Sequence, residues 1–172
     1  MLFRSIAPLF ALKHVSAVDA LVIVSGASQP LASDKLASYS VMREIARTKG
    51  MEALAEYRRS NNQIPPMIAN NTMLWDHFKH LYKETSVQGY IRVSEALATM
   101  LNLTSKIKDI CCPMLGVVGD LDPVFMEAMK ILAYNANVSM KIMHNCGHFV
   151  MMEEPDEFNN IITNFLNSYT LK

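Results

Sequence analysis

What the 172 residues lack narrows the possibilities before any motif is sought. No charge of either sign is in excess, because sixteen Lys and Arg balance sixteen Asp and Glu. A formal net charge of +0 leaves no global field to draw the chain onto nucleic acid or anionic lipid, so neither is expected as a partner. Near-neutrality also removes the repulsion that keeps copies apart. Cysteine is scarce: there are three, and Cys111 and Cys112 are adjacent, so no paired disulfide framework is available. A reducing compartment follows, and the cytoplasm is the expected location. Cys111, Cys112, Cys146 and His148 lack any C-x-x-C spacing, so no zinc set forms, and neither a metal nor a cofactor is expected. The thiols read instead as small buried hydrophobes. No stretch approaches the ~20 apolar residues of a membrane span. In "MLFRSIAPLFALKHVSAV" Arg4 precedes an apolar run, and no acid appears before Asp19. Lys13 and His14 interrupt that run, and no small-residue cleavage pattern follows. It reads as an apolar helix end, with a mitochondrial-type presequence the competing reading. Internal repeats and low-complexity tracts are absent too.

What is present is enough apolar side chain to build a core. Hydrophobic residues make up 51% and charged residues 19%, which suits one globular domain or a small core carrying an inserted helical layer. "ALVIVSGAS", Ala20 to Ser28, is a β-branched run ended by small residues, as expected of a strand buried on both faces of a parallel sheet. The same grammar returns in "CPMLGVVGDLDP", Cys112 to Pro123, and more weakly in "SMKIMHNCGH", Ser139 to His148. Between them Phe125, Met129, Leu132 and Ala133 fall at helical spacing. Strand, helix, strand with a right-handed crossover makes the last two strands parallel neighbours. At the C-terminus Phe158, Ile161, Ile162, Phe165, Leu166 and Tyr169 mark an amphipathic helix. Pro155 suits its first turn, and Asp156 and Glu157 complement its dipole.

Between about Pro30 and Ser105 the β-branched runs vanish and helix formers dominate. "YSVMREIARTKGMEALAEYRRS" reads as two helices broken at Gly50. "NNTMLWDHFKHLYKET" reads as a third and "VQGYIRVSEALATMLN" as a fourth, with "NNQIPPMIANN" separating the pairs. The division expected is a core of residues 1–29 and 106–172 with a helical cap inserted at 30–105.

Two strand ends carry the chemistry. One strand closes at Gly119 and presents Asp120 and Asp122, and another closes at Gly147 and presents His148. Functional groups on open parallel sheets collect at the carboxyl ends of strands, so both turns belong on one rim. A carboxylate bonded to one imidazole nitrogen fixes the tautomer and stabilises the imidazolium, which fits the other nitrogen for general base work. Either acid could instead cap the helix that starts near Pro123. Ser25 and Ser28 follow the first strand and read as turn residues, because nothing in the pattern supplies a strained nucleophile elbow. His77 and His80, with Trp75 and Phe78, read as surface and packing residues of a cap helix.

G-x-x-D after a strand, then a helix, a strand ending in G-H, and "EEPDEF" opening a terminal helix together resemble the C-terminal half of the α/β-hydrolase family. The resemblance implies a partial α/β-hydrolase fold, with a short parallel sheet of about three strands, flanking helices and a helical cap. It makes Asp122 the triad acid and His148 the triad histidine. It also implies hydrolysis of an ester or a similar bond in a small molecule, with the cap lining the substrate pocket. The family's nucleophile sits in G-x-S-x-G on a strand-to-helix elbow, and these 172 residues contain no such motif. The expectation is therefore an incomplete catalytic triad in a truncated, esterase-like chain that is inactive alone. Whether it acts as an enzyme stays open, and a non-catalytic protein that binds small ligands or partners through the cap pocket is the alternative. The first strand would expose an unpaired parallel edge, a template for a homodimer or for a complementary N-terminal half.

Overall fold

The computed structural model of the chain describes residues 3–30 and 32–169. Met1 and Leu2, within the N-terminal segment weighed above, lie outside the described residues. The chain divides into two compact units, one of residues 3–29 with 101–169 and one of residues 30–100.

The first unit is built on a parallel sheet. Strands β1 (Leu21–Val24), β2 (Met114–Gly119) and β3 (Val138–Met143) lie in the order β1-β2-β3, with Val24 opposite Val117 and Gly119 opposite Met143. All six residues of β2 are buried, as a central strand covered on both faces requires. Its side chains alternate between two cores. Met114 and Val118 pack with Ile23, Met129 and Leu132, where helices α1 (Phe3–Lys13) and α6 (Pro123–Asn135) cover the sheet. Leu115 and Val117 pack on the other face with Met143, Val150 and Phe165, the last from helix α8 (Pro155–Asn167). At ~25 cal/mol per Å2 of apolar surface, each of these fully buried side chains stabilises the fold by roughly 1.5–3 kcal/mol before entropy is counted.

Two expectations need refinement. β1 is shorter than Ala20 to Ser28, because Ser25 turns into the left-handed region at φ 44° and ends it. β3 stops at Met143, so His148 follows a turn rather than the strand itself. The weaker pattern of β3 has a physical cause: Ser139, Lys141 and Ile142 are exposed, and the strand is an edge. Where the helical segment leaves and returns, the core unit is stitched shut. Leu103 N–H donates to the Ser28 carbonyl at 2.7 Å, and the Ser28 and Thr104 hydroxyls are 3.1 Å apart.

The second unit is all helix among the described residues. Helix α2 (Ser33–Ser60) is broken at Gly50, whose φ of 85° and ψ of 175° suit glycine and no β-branched residue. A short α3 (Pro66–Asn70) forms inside the Asn/Pro segment, where the sequence pattern had shown only a separator. Helix α4 (Thr72–Lys83) is capped by Asn71 and α5 (Val87–Ala98) by Ser86, each side chain accepting a first-turn backbone N–H. Tyr39, Met42, Ala46, Met51, Leu54 and Leu97 form the core of this unit. Trp75 and Phe78 are buried, and His77 and His80 are exposed. Arg58 is buried as well, and donates to the Tyr82 hydroxyl and to the Gln63 carbonyl. No helix among the described residues is long and apolar enough to cross a membrane.

Candidate active site

β2 ends at Gly119, and the chain turns at once into Asp120, Leu121 and Asp122. The Asp122 N–H donates back to the Gly119 carbonyl at 3.2 Å, and Asp122 then caps α6, its Oδ1 accepting from Phe125 N–H at 3.4 Å. Pro123 starts that helix with a fixed φ and no donor to satisfy. The cap therefore holds the Asp122 side chain with one oxygen turned toward the helix end. Its other oxygen serves a different partner.

That partner is His148. Its Nδ1 lies 2.6 Å from Asp122 Oδ2, with side-chain exposures of 14% and 9%. An ionised carboxylate only accepts, so against it the imidazole Nδ1–H is the donor and Nε2 takes no part in this bond. The ring sits between aromatic neighbours, with Phe125 at 4.6 Å and Phe149 edge-on at 5.1 Å between centroids. Low water access of this kind strengthens a charge-assisted bond.

The two turns are held to each other through their backbones. Asp120 N–H donates to the Met143 carbonyl at 3.0 Å. Asn145 takes φ 59°, a conformation that asparagine tolerates better than most side chains, and so lets the turn double back after β3. Gly119 is required by this close approach, since a Cβ there would fall inside the carbonyls of Cys146 and Gly147. Beside the buried pair lies a second one on the surface, with Asp120 Oδ2 3.0 Å from Nδ1 of the exposed His144.

Ser25 and Ser28 are buried, and Ser25 N–H donates to the Val117 carbonyl at 2.8 Å. Ser25 does hold a positive φ, which the sequence pattern had not suggested, but no helix follows it directly. Of the thiols, Cys146 is buried, Cys112 is half-buried and Cys111 is exposed, so the expectation of burial fails for Cys111. Burial, with the nearby carboxylates of Glu153, Glu154, Glu157 and Asp120, pushes the Cys146 thiol up to about 11. That thiol is a poor nucleophile at neutral pH. Among the described residues no three His, Cys, Asp or Glu side chains gather as a metal site would need.

Sequence reasoning missed Glu153. Its side chain is buried, and its oxygens accept from Gly147 N–H at 2.8 Å and Phe149 N–H at 3.0 Å, one residue on either side of His148. Burial pushes its carboxyl above the ordinary carboxylate range; the two amides pull it back, and Asp122 and Glu154 add to the rise. The signal was available as an acid amid the apolar run "FVMMEEP".

The three-stranded parallel sheet and its flanking helices match part of the α/β-hydrolase fold. Solved structures agree. A structure from work on carboxylesterases of the thaumarchaeon Nitrososphaera gargenis matches with a TM-score of 0.86 and 26% identity, over 97% of this chain and 62% of that one. A thermophilic esterase from Thermogutta terrifontis matches with a TM-score of 0.80 and 18% identity, over 96% of this chain and 62% of the other. MenH from S. aureus gives 0.77 and 18%, over 97% and 65%. At 18% identity the latter two speak for the fold alone. The chain spans less than two thirds of the length of each of these three proteins. It belongs to the Ndr family, whose model matches residues 5–171. No curated protein matches its sequence.

Proposed function

We propose that the chain carries the acid and the histidine of a hydrolase triad, with Asp122 orienting His148 and His148 as general base, and that it is inactive alone. The observation that supports this reading is the 2.6 Å contact between His148 Nδ1 and Asp122 Oδ2, formed by two turns at one end of a parallel sheet. The carboxylate fixes the tautomer and would stabilise the imidazolium formed when Nε2 takes a proton from an attacking hydroxyl. The chemistry would be hydrolysis of an ester or a similar bond in a small molecule, in line with the work on carboxylesterases that gave the structural relative at 26% identity.

The triad is incomplete because the 172 residues hold no G-x-S-x-G. In a serine protease, loss of the nucleophile costs about a millionfold in kcat, and the residual ~10^3 to 10^4 comes from the oxyanion hole and substrate binding. An oxyanion hole of this family needs the amide that follows the nucleophile. A purified chain given an activated ester and a serine-directed phosphonate should show neither turnover nor labelling, and stoichiometric labelling would overturn the reading.

The missing motif also favours a second reading, a non-catalytic protein that binds a small ligand or a partner. Ligand-induced thermal stabilisation that survives replacement of both Asp122 and His148 by alanine would support it. In either case β1, with β2 as its sole neighbour among the described residues, offers an edge to a second copy or to a complementary N-terminal half. Three free thiols suit a reducing, cytoplasmic setting.

A further inference from the structure

The geometry points to Glu153 as the positioning residue for His148: its carboxylate clamps the backbone on both sides of the histidine and so sets where the imidazole meets Asp122. The direction of the His148 Cα–Cβ bond, from which its rotamers start, is set by the backbone around it, and the φ and ψ of Gly147 and His148 are the torsions between the two peptide units that carry Gly147 N–H and Phe149 N–H. Glu153 accepts from both, at 2.8 and 3.0 Å, with a different oxygen for each. The carboxylate is itself fixed, because it is 6% exposed and stands at the end of the one-turn helix α7 (Val150–Glu153). Glu153 N–H also donates to the Phe149 carbonyl at 3.0 Å, so the residue holds this turn at three points. Its placement is costly in itself, since burying a carboxylate must be offset by charge-assisted bonds. A neutral apolar plug at residue 153 would fill the space without that cost. The acid is explained by what it grips.

Glu153 touches no reacting atom in this account and acts through His148. The inference takes its functional meaning from the reading of His148 as base, but its test does not. The readout is the side-chain Nδ1–H proton of His148 in the full chain, followed by NMR, with Asp122→Asn as the control for a broken pair. In the unsubstituted chain this proton should resonate far downfield and be protected from exchange. Glu153→Gln keeps the shape but turns a donor toward one of the two amides. Its protection should fall by about tenfold, the factor that the loss of one hydrogen bond brings, while cooperative unfolding persists. A folded Glu153→Gln chain with the unsubstituted resonance and protection overturns the inference. Should that variant not fold, Glu153→Asp keeps the charge, but its carboxylate, one methylene shorter, reaches only one amide. The same loss is expected, and an unchanged resonance overturns the idea. Hydrogen-bond scalar couplings from Gly147 N and Phe149 N to the Glu153 carboxyl carbon need no variant, and their absence would overturn it as well. A chain that passes these tests yet shows no hydrolysis even with a nucleophile-bearing partner defeats the reading of His148 as base and leaves the clamp standing.

Discussion

The backbone N–H of Leu121 donates to the carbonyl of Cys146 at 2.9 Å, which joins the turn that bears the acid to the turn that bears the histidine. The bond lies next in sequence to Asp122 on one side and two residues from His148 on the other. Neither side chain has to search for its partner once this bond has formed. The pair is set by backbone, and side-chain changes should act on it through backbone.

Gly119→Ala is the sharpest case. Its Cβ meets the carbonyls of Cys146 and Gly147, which are backbone and cannot swing aside. Overpacking of this kind costs about 1–3 kcal/mol. Urea unfolding should show that loss, and the His148 Nδ1–H resonance should weaken in step. A neutral substitution would mean that the turns are not held as described.

Asp122 has two jobs, and two substitutions separate them. Asparagine caps helices about as well as aspartate, so Asp122→Asn should keep α6 intact while it weakens the bond to His148. Asp122→Ala loses both, and should be less stable than Asp122→Asn by about 1 kcal/mol. Equal stabilities in chemical denaturation would show that the cap contributes nothing.

Stability should depend on pH through Glu153. Its carboxyl lies above the ordinary range in the folded chain, so between that range and its raised value the folded state binds more protons than the unfolded one. Stability from this group therefore falls as pH rises through the window and is regained as pH drops. Asp122, Glu154 and Cys146 are the ionisable neighbours coupled to it. The margin of the unsubstituted chain over Glu153→Gln should widen from neutral toward mildly acidic pH. Denaturation midpoints of the two chains across a pH series decide it; a margin that narrows would reverse the assigned direction.

The edge of β1 that faces no other strand among the described residues predicts self-association. Leu21 N–H and Ser25 N–H both point into the sheet, toward the Pro113 and Val117 carbonyls. By strand alternation, those of Val22 and Val24 point out. Val22→Pro removes one outward donor at a position where an edge strand tolerates proline. Sedimentation at high concentration should show association in the unsubstituted chain and less of it in the variant. A unsubstituted chain that stays monomeric would dismiss the edge as an interface.

The outline of this architecture was legible because its signals are local and strong. Buried β2 reads as an unbroken apolar run, Pro155 and the spacing of Phe158 to Phe165 announce α8, and Gly50 announces the break in α2. Asp122 and His148 could be singled out because each follows a strand-end pattern. Their 2.6 Å separation could not, since it depends on the backbone bonds between two turns distant in sequence. Glu153 was hidden for a related reason. A carboxylate in sequence reads as surface charge, and only the placement of Gly147 N–H and Phe149 N–H explains its burial. Short α3 escaped because two prolines and several asparagines suggest a linker, while Pro66 in fact occupies the first turn of a helix.

The unequal burial of the three thiols has a practical consequence. Cys146 is sealed and held protonated up to about 11, and burial raises the half-buried Cys112 above its ordinary value too, whereas Cys111 stands in solvent. A maleimide dye applied at neutral pH will settle on Cys111 first. The native sequence thus offers a fluorescent handle just ahead of β2 that leaves the histidine turn chemically untouched.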